Sequence, residues 1–189
     1  MDAPTIFDPA IHSYLVPSLS ALHADCIVSP PYMIGNFLPP LNDSAMLAWW
    51  TALAAEVTIG TTAIVMQLAK DAEGKEVVAG VVLLGMPVSQ TSPFTGLVHK
   101  LLVAPAWRNK GIAKKLMVVL EGIAREKKRG LLLIHAEKDA PGSKIYPRWG
   151  YTVQGILPKS QISPGDGQLK DVVYMYKDMR EAWEEVKMP

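Results

Sequence analysis

Residues 99–116 constrain the fold more tightly than any other stretch. They read His99-Lys100-Leu101-Leu102-Val103-Ala104-Pro105-Ala106-Trp107-Arg108-Asn109-Lys110-Gly111-Ile112-Ala113-Lys114-Lys115-Leu116. The first part is an apolar run ending in Ala104-Pro105, which predicts a buried strand that cannot continue past the proline. The last part begins an amphipathic helix. Between them lies a loop with Arg108, Lys110 and Gly111. A strand that passes through a glycine-containing loop into a helix start gathers unpaired backbone N–H groups in one place. With the positive end of the helix dipole, those donors suit a phosphate or pyrophosphate. Gly111 lets a ligand come close to the backbone, and Arg108, Lys110, Lys114 and Lys115 add positive charge. The same residues also suit a plain surface loop followed by a helix with a solvated basic face.

The remaining chain supplies elements around this unit. Leu15, Leu19, Leu22 and Cys26 recur at helical spacing over 11–28, with Pro17 inside, so this helix starts late or bends. Pro30-Pro31 and Pro39-Pro40 forbid a regular helix or central strand over 29–43. Tyr32, Met33, Ile34, Phe37 and Leu38 are nevertheless too apolar for a solvated linker, so this loop packs on the domain or lines a site. Asp43 or Ser44 is the expected cap of a helix over 45–58, with Leu47, Trp50, Leu53 and Val57 on one face and Gly60 at its end. Apolar runs at 63–68 and 77–85 predict a β-hairpin. A strand follows over 95–104. The helix over 109–128 should bury Ile112, Leu116, Val119, Leu120 and Ile123 and turn Glu121, Arg125, Lys127 and Lys128 outward. Residues 131–136 read as a strand covered on both faces, with His135 in the core. A short helix over 143–151, strands over 151–157 and 169–177, and a charged tail containing Trp183 complete the chain. This order predicts an α/β architecture, a mixed sheet with helices packed on it.

At 189 residues the chain is long enough for one domain with a sizeable core, so residues 1–189 are expected to form a single unit. Hydrophobic content of 49% excludes a disordered chain, and a net charge of +1 gives no reason to expect nucleic acid or an anionic membrane as partner. No stretch approaches the roughly 20 apolar residues that cross a bilayer, and no signal peptide is evident. Cys26 is the sole cysteine, which excludes an internal disulfide and points to a reducing, cytoplasmic location and a buried structural thiol. The four histidines lack metal-ligand spacing, so no metal is expected. His12 and His23 fall on the first helix and suggest no role.

Arg108-Asn109-Lys110-Gly111-Ile112-Ala113 resembles the Arg/Gln-x-x-Gly-x-Gly/Ala pattern that holds the pyrophosphate of acetyl coenzyme A in the GNAT superfamily of N-acetyltransferases, and Leu101, Val103 and Pro105 resemble its lead-in. Downstream, Ile145-Tyr146-Pro147-Arg148-Trp149-Gly150-Tyr151 resembles the family's aromatic-Tyr-x-x-x-Gly-Phe/Tyr element, with Ile145 in place of the usual aromatic. Leu22, Cys26, Ile27, the run Gly35-Asn36-Phe37-Leu38-Pro39 and Trp50 look like the branch that includes tabtoxin resistance protein, although the two Pro-Pro pairs do not obviously belong.

The resemblance implies a mixed, mostly antiparallel twisted sheet of about six to seven strands flanked by about four helices. It implies an N-acetyltransferase that moves an acetyl group from acetyl-CoA, its cosubstrate, to a primary amine of a small molecule within a ternary complex, as a monomer or homodimer. Leu101, Leu102, Val103, Arg108, Asn109, Lys110, Gly111, Ile112 and Ala113 are then the cofactor-binding residues. Tyr146 would protonate the departing thiolate. The proton acceptor is left between His99, whose ordinary pKa suits the task, and Glu137. The acceptor site is expected between the 29–41 loop, the 87–94 loop and the 158–168 turn, with Tyr32, Asn36 and Phe37 lining it. A protein or peptide acetyltransferase and a catalytically silent acyl-CoA-binding module are the alternatives. On this reading Tyr146→Phe lowers turnover far more than acetyl-CoA affinity, measured by steady-state kinetics and calorimetry; unchanged turnover removes Tyr146 from the chemistry.

Overall fold

A computed structural model describes residues 2–33 and 35–180. Ile34 and the tail beyond 180, with Trp183, lie outside the described residues. Seven strands form one sheet: β1 (Thr5–Ile6), β2 (Thr62–Lys70), β3 (Glu76–Gly85), β4 (Thr95–Val103), β5 (Leu131–Glu137), β6 (Thr152–Ile162) and β7 (Leu169–Asp178). Their spatial order is β1-β2-β3-β4-β5-β7-β6. Neighbours run antiparallel except β4 and β5. The helices are α1 (Pro9–His12), α2 (Val16–Val28), α3 (Asp43–Ile59), α4 (Ile112–Glu126) and α5 (Pro141–Ile145). The mixed, mostly antiparallel sheet with flanking helices is the expected α/β architecture.

Strands β2 and β3 are buried on both faces, which is why they read as nearly continuous apolar runs. Ala63, Val65, Val82 and Leu84 face α4 and pack with Ile112, Leu116 and Leu120. The alternate residues Ile64, Met66, Val81 and Leu83 face the other way and pack with Leu19, Leu22, Cys26, Trp50 and Leu53 of α2 and α3. Helix α2 begins at Val16 with Pro17 in its first turn, where the missing N–H is not needed. The predicted late start is therefore what the proline produces.

Several local expectations are corrected. Asn42, not Asp43 or Ser44, caps α3, and its side chain accepts from the Ala45 N–H. Trp50 is fully buried and fixes the rotation of α3, so the inward stripe runs through Met46, Leu53 and Ala54 while Leu47 is 40% exposed. Strand β5 is covered on one face only, by way of Leu132 and Ile134, and His135 is exposed rather than in the core. Glu121 does not point into solvent. Both its oxygens accept from Lys177 Nζ at 2.8 Å, and the same ammonium donates to the Trp149 carbonyl at 2.9 Å. This pair ties α4 to β7 and to the turn that follows α5.

Gly80 sets how closely α4 approaches the sheet. A Cβ there would lie 2.8 Å from Ile112 Cγ2 and 3.2 Å from the Leu102 carbonyl. Gly122, on the outer side of α4, has nothing within 4 Å of such a Cβ. Gly80→Ala is expected to destabilise the fold by about 1–3 kcal/mol through overpacking. Gly122→Ala is expected to stabilise it by about 0.5–1 kcal/mol through helix propensity. Urea unfolding of the two variants checks both signs.

Candidate active site

Strands β4 and β5 pair over three residues only, Thr95–Leu97 against Leu131–Leu133. Beyond that they part, and a cavity of about 440 Å³ opens between them. At the point of parting β4 carries a bulge. Leu83 pairs with His99 and Val81 with Leu102, so Lys100 and Leu101 together oppose Val82. Lys100 takes up φ +55°, in the left-handed region. The extra residue reverses the alternation of side chains. Val98 belongs to the α4-side core and Leu102 to the α2/α3-side core, although residues four apart in a regular strand share a face.

The cavity brings together seven of the fifteen residues singled out from the sequence. His99, Leu101 and Leu102 line it from β4, Glu137 from β5, and Tyr146 from the turn after α5; Tyr32 and Asn36 close it from the 29–42 loop. Tyr146 is 6% exposed, and its ring lies 5.9 Å from Trp149 and 5.8 Å from Tyr151. Burial pushes its phenol well above the ordinary range, so it stays protonated. Gly142 makes room for it: a Cβ at 142 would sit 3.1 Å from Tyr146 Cε2. Burial lowers His99 to about 4, helped by the Lys100 ammonium and His135. Burial raises the Glu137 carboxyl.

Two expectations fail here. Phe37 does not line the cavity; it packs behind it, edge-on to His23 at 5.6 Å and to Trp49 at 6.1 Å. The 87–94 loop also lies elsewhere. It leads into the first residue of β4, at the end of the strand that is still paired, and Arg129 donates to its Pro87 and Pro93 carbonyls. Of the 158–168 segment, Gln161 reaches the cavity, while Tyr32 packs on Gly165 so closely that a Cβ there would lie 2.6 Å from its ring.

Three residues at the cavity escaped the sequence reading. Lys100 is half-buried, and burial brings its ammonium down to about 8, so it remains charged at neutral pH. Its Nζ donates to Asn36 Oδ1 at 3.1 Å and lies 5.4 Å from the Trp49 ring centre. His23 is 1% exposed, and burial lowers it to about 3. Its position between Leu22 and Cys26 on the inward stripe of α2 was a readable sign of a buried polar group. His135 stacks on Tyr174 at 5.4 Å; although its side chain reaches solvent, the protein packed around the ring and then the Lys100 ammonium lower its pKa.

The second motif region adjoins the cavity through Val103. After a turn at Pro105–Trp107, Asn109 and Gly111 adopt φ +62° and +76°, and α4 begins at Ile112 with no side-chain cap. A Cβ on Gly111 would meet nothing within 4 Å, so the glycine is required here by its φ and not by crowding within the protein. Lys114 and Lys115 are exposed beside it, and Lys110 lies 4.5 Å over the Trp107 ring. Arg108 is engaged elsewhere. Its Nε donates to the Val103 carbonyl at 3.1 Å, its Nη1 to the Pro30 carbonyl, and its Nη2 lies 3.9 Å from Cys26 Sγ. The guanidinium fastens the 29–42 loop to the end of β4, and the Arg108 backbone N–H donates to the Pro105 carbonyl at 3.4 Å. Cys26 is buried, as expected, and donates to the Val103 carbonyl at 3.5 Å.

Residues 60–153 match the family model described as an acetyltransferase (GNAT) domain. That stretch, from the end of α3 to the start of β6, is similar to a GNAT acetyltransferase domain. The fold of the chain is shared with solved structures of low sequence identity. The yncA protein of Salmonella typhimurium, solved with its cofactor acetyl-CoA, superposes with a TM-score of 0.70 at 18% identity over 99% of this chain and 100% of that one. A phosphinothricin acetyltransferase of Sinorhizobium meliloti, in complex with AcCoA, gives 0.71 at 17% over 98% and 96%. A ribosomal-protein-alanine N-acetyltransferase of Brucella melitensis gives 0.69 at 19% over 93% and 98%. The bulge of β4 and the Tyr146 turn line the gap between β4 and β5, and the chain leaves the open end of β4 through the 104–111 loop to the start of α4. Among the described residues no group of three or more His, Cys, Asp or Glu side chains could hold a metal ion, and no helix is long and apolar enough to cross a membrane.

Folded His23 takes a proton only near pH 3, whereas the unfolded chain does so near 6.5. The unfolded state therefore binds more protons between these values, and native stability falls as pH drops through that window. His23 alone contributes a slope of up to about 1.4 kcal/mol per pH unit. His23→Phe is expected to flatten the curve by that amount, measured by urea unfolding across the pH series.

Proposed function

We propose that the chain is an acetyl-CoA-dependent N-acetyltransferase that acts on a primary amine of a small molecule, by direct transfer with both substrates bound. The observation that carries this reading is the bulged, unpaired edge of β4, which runs from the Tyr146 cavity to the uncapped N-terminus of α4. An extended ligand has there a strand edge to add to at one end and free N–H donors with lysines at the other. Acetyl-CoA has that shape and supplies the acetyl group as a thioester.

The roles follow from position. The backbone of Leu101 and Val103 pairs with the extended arm, and the N–H groups of residues 109–113 bind its pyrophosphate. A backbone N–H at the bulge, at Leu101 or Leu102, faces the carbonyl oxygen where negative charge develops. Tyr146, kept protonated by burial, donates to the leaving sulfur. His99 or Glu137 takes the proton of the amine. His99 is uncharged at neutral pH and free to accept, and Glu137 has its basicity raised by burial. The 29–42 loop folds over the cavity, with Tyr32 against Gly165, which favours a small acceptor over a polypeptide. The chain reads as a relative of the branch that includes tabtoxin resistance protein, in a reducing, cytoplasmic setting.

Thermal unfolding with acetyl-CoA tests the reading. At ~100 times its dissociation constant the ligand adds about 2.7 kcal/mol to native stability. The stabilisation should appear in the wild type and be lost in Gly111→Glu, whose carboxylate enters the anion site at a backbone position with φ +76°. No stabilisation of the wild type at saturating acetyl-CoA overturns the proposal.

A further inference from the structure

The cavity is electrostatically lopsided. Its histidines, His23, His99 and His135, all have lowered pKa values and are neutral. Its charged side chains are Lys100 on the side of the 29–42 loop and Glu137 at the end of β5. Lys100 Nζ has a neutral amide oxygen and the face of Trp49 for company. Among the described residues no carboxylate lies within 4.0 Å of it. The bulge puts it there, because the extra residue at position 100 turns its side chain toward α2 and α3. Gly35 backs onto the same spot: a Cβ on it would lie 3.3 Å from Lys100 Nζ and 3.2 Å from His23 Nε2. His23 is itself buried with its Nδ1 unpartnered. A half-buried ammonium in a cavity of neutral imidazoles lacks a counter-anion, and a ligand is the available source of one.

We propose that Lys100, with Asn36, forms a subsite for a carboxylate, and that the acceptor is therefore an amino acid-type molecule whose acid group lies under the 29–42 loop while its amine points toward Glu137 and Tyr146. The inference rests on the acetyltransferase reading and names the substrate class of the same site. A cavity of about 440 Å³ has room for a molecule of that size. The geometry is also that of a filter. An amine without the acid group leaves Lys100 buried and unpaired, and a second ammonium in its place meets repulsion.

The test pairs α-amino acids with their decarboxylated counterparts: phenylalanine with phenethylamine, tyrosine with tyramine, histidine with histamine, tryptophan with tryptamine and arginine with agmatine. Thiol release from acetyl-CoA and calorimetric binding in the presence of CoA are read for wild type and Lys100→Met. The expected result is that at least one acid exceeds its amine by on the order of 10- to 100-fold in kcat/KM and in affinity, and that Lys100→Met brings this ratio to about one. Amines equal to or better than their acids overturn the proposal, as does a preference that survives in Lys100→Met. Binding of neither set, by a protein that acetyl-CoA still stabilises, also overturns it and leaves the acetyltransferase reading standing. Absence of acetyl-CoA stabilisation removes that reading and this one with it.

Discussion

Strands β4 and β5 run parallel, and after Leu97 and Leu133 they no longer share hydrogen bonds. A sheet that splits leaves backbone N–H and C=O groups without strand partners, and such edges accept an added strand or an extended ligand. The two halves are held apart by what each is attached to. Strand β5 keeps its pairing with β7 from Leu131 to Glu137, and β4 keeps its pairing with β3 up to Val103. The cleft is thus bounded by fully paired sheet on either side, and its width is set by the fold rather than by the side chains that line it.

The bulge at Lys100 works within that frame. By reversing the alternation it lets β4 serve both cores, sending Val98 toward α4 and Leu102 toward α2 and α3. It also lifts one backbone unit out of the ladder beside the cavity that Tyr146 lines. Arg108 then joins the loop before α4 to the 29–42 loop, since its guanidinium reaches the Val103 carbonyl, the Pro30 carbonyl and Cys26. Anything that moves the loop before α4 therefore pulls on the loop that covers the cavity. The Glu121–Lys177 pair does the same for the other wall, because Lys177 also holds the Trp149 carbonyl in the turn that carries Tyr146.

Electrostatics in the cavity follow from burial more than from charge pairing. Loss of water keeps the phenol protonated and is the largest cause of the neutral imidazoles, with the Lys100 ammonium second. Lys100 keeps its charge because Asn36 and the Trp49 ring replace part of its hydration. The site consequently offers a proton donor, neutral bases and a single half-buried cation within one small volume.

The sequence by itself determined most of the elements and the glycine loop before α4. Apolar runs at β2 and β3, the 3.6-residue stripe of α4 and the punctuation by Pro105, Gly111 and Gly150 are local, and local physics reads them. The glycine loop and the turn that carries Tyr146 were also legible, since each is a contiguous stretch with its own composition. Only the tertiary structure decided which residues meet. The bulge depends on a register between β3 and β4 that no window of β4 contains, so the inward turn of Lys100 was hidden. The 87–94 loop and the 29–42 loop look alike in composition, yet one lies at the paired end of β4 and the other at its open end. Phe37 and His23 exchanged roles for a similar reason: an irregular loop has no period from which the direction of a side chain can be read, and the rotation of α2 is fixed by what it packs against.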